Sequence, residues 1–228
     1  MTDGALSKIE QPPTTLRDIV QDRMRNAIIE GHFKPGERLV ERPLCEQLGV
    51  SRTVIRETIR YLEAEGLVDI LPGHGPIVAT MSWDDARQIY AIRRMLETAA
   101  ARTCAERITP ERADRLQQAL DRLQQALTME STGALFQATS GFYAEIFEGA
   151  GHRIAWEIVQ RLNGRISRLR RMTLSTTDRE QPGGAHMQAI CDAIRSGDAE
   201  AAEAAVARHL DDATQIAERL LAGEETPA

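Results

Sequence analysis

The sequence predicts a mainly α-helical protein in two parts: an N-terminal winged helix-turn-helix with a small β-hairpin, then an all-α helical bundle. Three observations predict it. Helix, helix, turn, helix and hairpin patterns follow one another between residues 14 and 80. A Gly-rich turn, Pro72-Gly73-His74-Gly75-Pro76, separates two short apolar runs. From residue 82 onward no strand pattern appears, and the strong helix formers Ala, Arg, Glu, Gln and Leu dominate.

Residues 1–13 are polar, end in Pro12-Pro13 and read as a flexible leader. Thr14 or Thr15 caps a helix from Leu16 to Glu30, whose Ile19, Val20, Met24, Ala27 and Ile28 fall near helical spacing; Gly31 stops it. Phe33-Lys34-Pro35-Gly36 makes a turn. A short helix fits Glu41 to Leu48, ending at Gly49, and Ser51 caps the next, Arg52 to Ala64, stopped by Gly66. Strands over Leu67–Leu71 and Ile77–Thr80 complete a domain spanning 14–80.

Ser82 caps a helix running to about Arg107, with Asp84 and Asp85 in the first turn, where the helix dipole favours acids. Thr109-Pro110-Glu111 opens another, to about Thr128. Further helices fit 132–148, 152–174, 184–196 and 198–222, broken at Gly149-Ala150-Gly151 and Ser196-Gly197-Asp198. The second domain thus spans 82–222, leaving 223–228 as a tail.

Composition bounds the function. The chain has 228 residues, 42% of them hydrophobic and only 4% aromatic, so its core is built mostly from aliphatic side chains. A net charge of −6 gives no overall basic footprint for nucleic acid, so any such surface must be local. Cys45, Cys104 and Cys191 are far apart, without metal-binding spacing, and read as free thiols packed as small hydrophobes. With no basic leader followed by an apolar run, and no stretch near the ~20 apolar residues of a membrane span, the expected location is the cytoplasm. The sequence shows no nucleophile–base–acid set, phosphate loop or complete metal set, which argues against an enzyme.

The informative stretch is Gly49-Val50-Ser51-Arg52-Thr53-Val54-Ile55-Arg56-Glu57. Val50, Val54, Ile55, Ile59 and Leu62 form one buried side, while Arg52, Arg56 and Arg60 share another face. Ser51 and Thr53 stand at a helix N-terminus, where backbone N–H groups and hydroxyls suit phosphate oxygens. Arginine is the common bidentate reader of guanine in the major groove. A solvated, salt-bridged helix face is the bland alternative for such spacing.

Residues 16–78 resemble the DNA-binding domain of the GntR family. The matching text is Ile28-Ile29-Glu30-Gly31, Lys34-Pro35-Gly36-Glu37-Arg38-Leu39, Glu41-Arg42, Leu48-Gly49-Val50-Ser51-Arg52-Thr53, Ile55-Arg56-Glu57, Glu65-Gly66-Leu67-Val68 and Gly73-His74-Gly75. Departures are small: Pro43 before Leu44, Cys45 where Ala is common, and Thr58-Ile59 after Glu57. The resemblance implies DNA contacts at Arg42, Ser51, Arg52, Thr53 and Arg56, with His74 and Gly75 at the wing tip. A flexible surface turn is the other reading of His74.

Residues 82–222 resemble the helical FCD-type ligand-binding domain of the FadR subfamily. Arg93-Arg94-Met95-Leu96-Glu97, Phe142-Tyr143 before Gly149-Ala150-Gly151-His152, Gly184-Ala185-His186 and Arg208-His209-Leu210 carry the match. Many members bind a divalent metal with one Asp and three His. Here two of those positions read Thr139 and Tyr143, and His186 and His209 remain. The expectation is therefore a pocket without cofactor, with Zn, Ni or Mn on His186 and His209 as the alternative. Arg93, Thr139, Tyr143, His186 and His209 are the expected effector contacts. Arg93 has a second reading, an ion pair with Glu97. Arg161, Arg165 and Arg168 read as a solvated stripe or as cavity lining.

The resemblance implies a homodimer on a palindromic operator, released as a repressor by a small organic acid or related metabolite. Its partners would be double-stranded operator DNA, the effector and a second copy, with no membrane. Alternatives are a constitutive dimeric DNA binder and an acyl-CoA-type sensor.

Overall fold

The computed structural model describes residues 15–129, 131–174 and 183–222. The expected leader over 1–13 and tail over 223–228 lie outside these residues.

Three helices and a hairpin form the first domain: α1 (Leu16–Ile29), α2 (Glu41–Leu48), α3 (Arg52–Ala64), β1 (Val68–Leu71) and β2 (Gly75–Val78). Thr15 caps α1 in a reciprocal box with Asp18. Gly49 closes α2 at φ 67°, a left-handed cap that favours glycine. The strands pair antiparallel, Val68 opposite Val78 and Leu71 opposite Gly75, so β2 starts two residues before the expected Ile77. Val20, Met24, Ile28, Leu39, Leu44, Ile55, Ile59, Leu62, Leu67 and Val78 form one core. Arg25 on α1 grips Glu65 beyond α3 with two bonds, of 2.8 and 2.9 Å, and so fixes the ends of both helices.

The second domain holds α4 (Trp83–Glu106), α5 (Pro110–Leu127), α6 (Thr132–Ala150), α7 (Arg153–Arg161), α8 (Asn163–Leu174), α9 (Gly183–Arg195) and α10 (Ala199–Ala222). Its core is separate and includes Leu116, Leu120, Phe142, Ile146, Phe147, Ile190, Ile194, Val206 and Leu210. The α4–α10 pair is the most extensive. Small residues allow its close approach: Ala100, Ala101 and Ala105 on α4, and Ala202, Ala205, Ala213 and Ala217 on α10, are all buried.

One expected element is corrected. The single helix over 152–174 is two helices, broken at Leu162, whose N–H bonds the Val159 carbonyl at 3.1 Å in a tightened last turn. Asn163-Gly164, a turn-favouring pair, follows the break at once. A Cβ on Gly164 would stand 2.7 Å from Leu67 Cγ and 2.8 Å from the Glu65 carbonyl oxygen, so α8 lies directly against the first domain.

Candidate functional site

Two regions gather the expected residues. The first is the outer face of α3. Its Ile55, Thr58, Ile59 and Leu62 are buried, which turns Arg52, Thr53, Arg56 and Arg60 to solvent. The Ser51 hydroxyl accepts from the Val54 N–H at 3.4 Å and so caps the helix. Arg56 donates to Glu41 on α2 at 2.7 Å, which holds the Glu41 carboxyl below its ordinary range. Arg42 pairs with Glu46 at 3.1 Å, both largely exposed. Such exposed pairs are weak and exchange readily for a phosphate or base edge. The hairpin ends in an exposed turn, with Gly73 at φ 76° and Gly75 at φ 79°. His74 sits at its tip, Nδ1 3.3 Å from the Pro72 carbonyl oxygen. Arg38, which sequence reasoning did not single out, lies beside Gly75, 3.8 Å from where a Cβ would be. The seven expected contacts thus divide between the α2–α3 pair and one wing tip.

The second region is a cavity of about 40 Å³ inside the bundle, room for roughly three waters. Leu123, Leu127, Leu135, Met187 and Ala213 form its apolar wall; Arg93, Thr139, Arg170, Thr173 and His209 bring polar groups. Arg93 is fully buried and pairs with Glu97 through contacts of 2.7 and 3.2 Å. Burial is the largest single influence and works against its charge, but Glu97, Tyr143 and Tyr90 together outweigh it and raise its pKa. The ion-pair reading of Arg93 is therefore the observed one, and Arg93 still reaches the cavity wall. Thr139 donates to the Leu135 carbonyl at 2.7 Å.

Tyr143 and His186 are buried but do not line the cavity. Tyr143 stands behind it, edge-on to Phe142, with burial raising its hydroxyl pKa. His186 faces His209, ring centres 5.5 Å apart, and lies 3.4 Å from Asp212. Among the described residues no three His, Cys, Asp or Glu side chains converge as a metal requires. Among the described residues His186 and His209 have one carboxylate, Asp212, beside them, and a guanidinium shares the cavity, a set that suits a divalent ion poorly.

That guanidinium is the residue sequence reasoning missed. Arg170 on α8 lies over the Tyr143 ring, 5.4 Å from its centre. Its Nη1 is buried without a hydrogen bond, and no described carboxylate is within ion-pair distance. Burial first, and Arg93 second, push its pKa down to about 10. Of the neighbouring arginines, Arg161 and Arg165 are exposed, as a solvated stripe requires, Arg168 is half-buried, and none of the three lines the cavity. Arg165 and Arg168 face the first domain, Arg168 donating to the Ala79 carbonyl, while Arg161 lines a cleft between the domains. Cys104 and Cys191 are buried thiols, pushed up by that burial to about 11 and about 12.

No described helix is long and apolar enough to cross a membrane. The model for bacterial regulatory proteins of the gntR family matches residues 16–78, and that for the FCD domain matches residues 88–212. The HTH-type transcriptional repressor RspR of Escherichia coli strain K12 is 26% identical over 193 residues, covering 84% of each chain. The HTH-type regulator Rv0494 of Mycobacterium tuberculosis is 27% identical over 224 residues, covering 90% of this chain and 91% of its own. Among solved structures, a GntR transcriptional regulator from Rhodococcus sp. RHA1 aligns with a TM-score of 0.73 and 26% identity, over 89% of this chain and 98% of its own. E. coli McbR/YncC shares the fold at a TM-score of 0.73 and 22% identity, over 91% of this chain and 99% of its own. The exposed α3 face and wing thus belong to a domain that relatives use as a regulator's helix-turn-helix, not to an enzyme, and the chain belongs to the GntR family of bacterial transcriptional regulators that carry an FCD domain.

Proposed function

We propose that the protein is a cytoplasmic homodimeric repressor of the FadR subfamily, released from a palindromic operator when a small organic acid enters the bundle. The observation that carries the reading is Arg170: a cation in a cavity, with a buried Nη1 that has no hydrogen bond and, among the described residues, no carboxylate within ion-pair distance. A buried charge left unpaired is destabilising, and a ligand carboxylate supplies what the fold withholds. The pocket works without metal, since Thr139 and Tyr143 offer no carboxylate or imidazole and Arg170 is the anion anchor. A long acyl chain needs an apolar tunnel, and a cavity of about 40 Å³ favours a compact acid.

At the other end, Arg52 and Arg56 read base edges, Arg42, Ser51 and Thr53 hold phosphates, and His74 with Gly75 reaches the flanking minor groove. Two recognition helices match two half-sites, so the DNA is two-fold related and the protein paired. Ile154 and Ile158, one turn apart on α7 and 64% and 44% exposed, offer a second copy an apolar contact. The repressor reading follows RspR, an HTH-type transcriptional repressor. An acid shifts the balance only by binding the DNA-free state more tightly.

The test begins by selecting duplexes from a random pool with the full chain, then screening small mono- and dicarboxylates by thermal shift. A two-fold symmetric duplex released by a stabilising acid is the expected result. If no duplex is enriched, the DNA reading falls. An enriched duplex indifferent to every acid favours a constitutive dimeric binder, for which the tightness of the cavity speaks.

A further inference from the structure

We infer that α8 couples the bundle cavity to the winged helix, with Arg165, Arg168 and Arg171 as its positioning residues. The inference rests on reading the cavity as a carboxylate site.

The two faces of α8 have different neighbours. Gly164, Arg168 and Arg171 recur at spacings of four and three, so they share one face, flanked by Arg165. Each meets a different piece of the first domain. Arg171 donates through Nη1 to the Ile29 carbonyl at 2.8 Å, at the C-terminus of α1, where a cation also complements the helix dipole. Its side chain fills the space beside Gly31, at φ 77°, where a Cβ would collide with the guanidinium. Arg168 donates to the Ala79 carbonyl, just past β2. Arg165 occupies the space beside Gly66, at φ 70°, between α3 and β1. The end of α1, the end of the recognition helix and the root of the wing thus each receive one arginine. Gly164 brings the backbone close enough to seat all three.

The opposite face belongs to the bundle. Ile166 and Leu169 are in its core, and Arg170 and Thr173 line the cavity. Arg170 and Arg171 are consecutive, about 100° apart around one helix. An anion that draws Arg170 inward therefore rotates or shifts the helix that holds three turns of the winged helix. Moving α8 alters the contacts at those turns and hence the placement of α3 and the wing.

A tethered carboxylate tests this on the full chain. Thr139→Glu plants an acid in the wall that Arg170 shares, and Thr139→Gln is its neutral control. Thr139→Glu is expected to melt higher than Thr139→Gln and to bind the selected duplex at least tenfold more weakly. Adding Arg168→Ala with Arg171→Ala is expected to bring the two affinities within twofold. If that pair of changes fails to fold, Gly164→Ala wedges the same seam, because its methyl would stand 2.8 Å from the Glu65 carbonyl oxygen. A Thr139→Glu protein no more stable than Thr139→Gln overturns the carboxylate reading, and this inference with it. A stabilised Thr139→Glu protein with undiminished DNA affinity overturns the coupling alone. So does a tenfold difference that survives in the Arg168→Ala, Arg171→Ala background.

Discussion

Replacing Arg170 with methionine is expected to make the free protein more stable and deaf to its effector. Methionine keeps the unbranched stem and removes the charge. Depressing the guanidinium from its ordinary range to about 10 corresponds to about 3 kcal/mol of charge burial, which Tyr143 and Glu97 offset only in part. Burial is the larger cause and Arg93 the second. The side chain is half-buried rather than fully enclosed, so solvent screens part of this and about 3 kcal/mol is a ceiling. The change also loses the contact over Tyr143, 5.4 Å from the ring centre, worth about 1–2 kcal/mol where desolvated. The net expectation is a gain of about 1 kcal/mol, or about 2–4 °C in Tm for a chain of this size. The folded-state pKa is lowered, so the penalty is fully present below about 10 and fades only as pH rises above that, towards the ordinary arginine range. The gain should therefore be the same at pH 6 and pH 8. Calorimetry at both pH values, with and without a stabilising carboxylate, reads all of this. A variant at least 1 kcal/mol less stable than the parent, or one that still responds to the acid, would refute the reasoning.

Arg52→Ala is expected to lose about 1–3 kcal/mol on its preferred duplex and to relax the choice at one base pair. Arg42→Ala should instead weaken all duplexes alike and lower the salt slope by about one, both read by fluorescence anisotropy across a salt series. Glu41→Gln should tighten DNA binding, because Arg56 is released from its 2.7 Å partner; unchanged or weaker binding would mean that Glu41 aims Arg56 rather than restrains it. Maleimide at pH 7.5 should label Cys45 first, since Cys104 and Cys191 are buried thiols that ionise only near 11 and 12. Mass spectrometry of partly labelled protein decides, and early modification of Cys104 would count against a closed bundle.

Most helix boundaries were legible because they are set by local chemistry. Thr15, Ser51, Ser82 and Thr109 each place a side-chain oxygen on a backbone N–H three residues on, and that signature is written in consecutive residues. Gly49 and Gly151 end their helices in the left-handed region for an equally local reason. The break at Leu162 is written only weakly, in the turn-favouring pair Asn163-Gly164, while the close approach of Gly164 to the Glu65 carbonyl, nearly a hundred positions away, is not written locally at all. The same distinction divides the sites. Arg52 and Arg56 are recognisable because the apolar side of α3 fixes which way they face. Arg165, Arg168, Arg170 and Arg171 look alike in the sequence, and only the packing of α8 between two cores separates one that enters a cavity from three that seat another domain. Tyr143 and His186 illustrate the converse: a family position was legible, but not its placement behind the cavity wall.

The chain carries a net charge of −6, yet each of its working surfaces turns on arginine. A lysine is a point charge on a flexible stem, whereas a guanidinium is a planar fork that reads a guanine edge, accepts a carboxylate in two bonds or lies flat on a ring. The structure shows two of these uses, the two-bonded Arg93–Glu97 pair and Arg170 over the Tyr143 ring, and the exposed arginines of α3 are placed for the first under the proposed function. The carbonyls of Ile29 and Ala79 add a fourth use, in which the fork ties one domain to the end of another's elements. Excess acid elsewhere keeps these cations local, so the DNA-facing surface attracts phosphate without making the whole chain sticky for it. Arg170, whose buried Nη1 has no hydrogen bond among the described residues, is where the proposed acid would gain a partner, and it stands one residue from Arg171, which holds the end of α1.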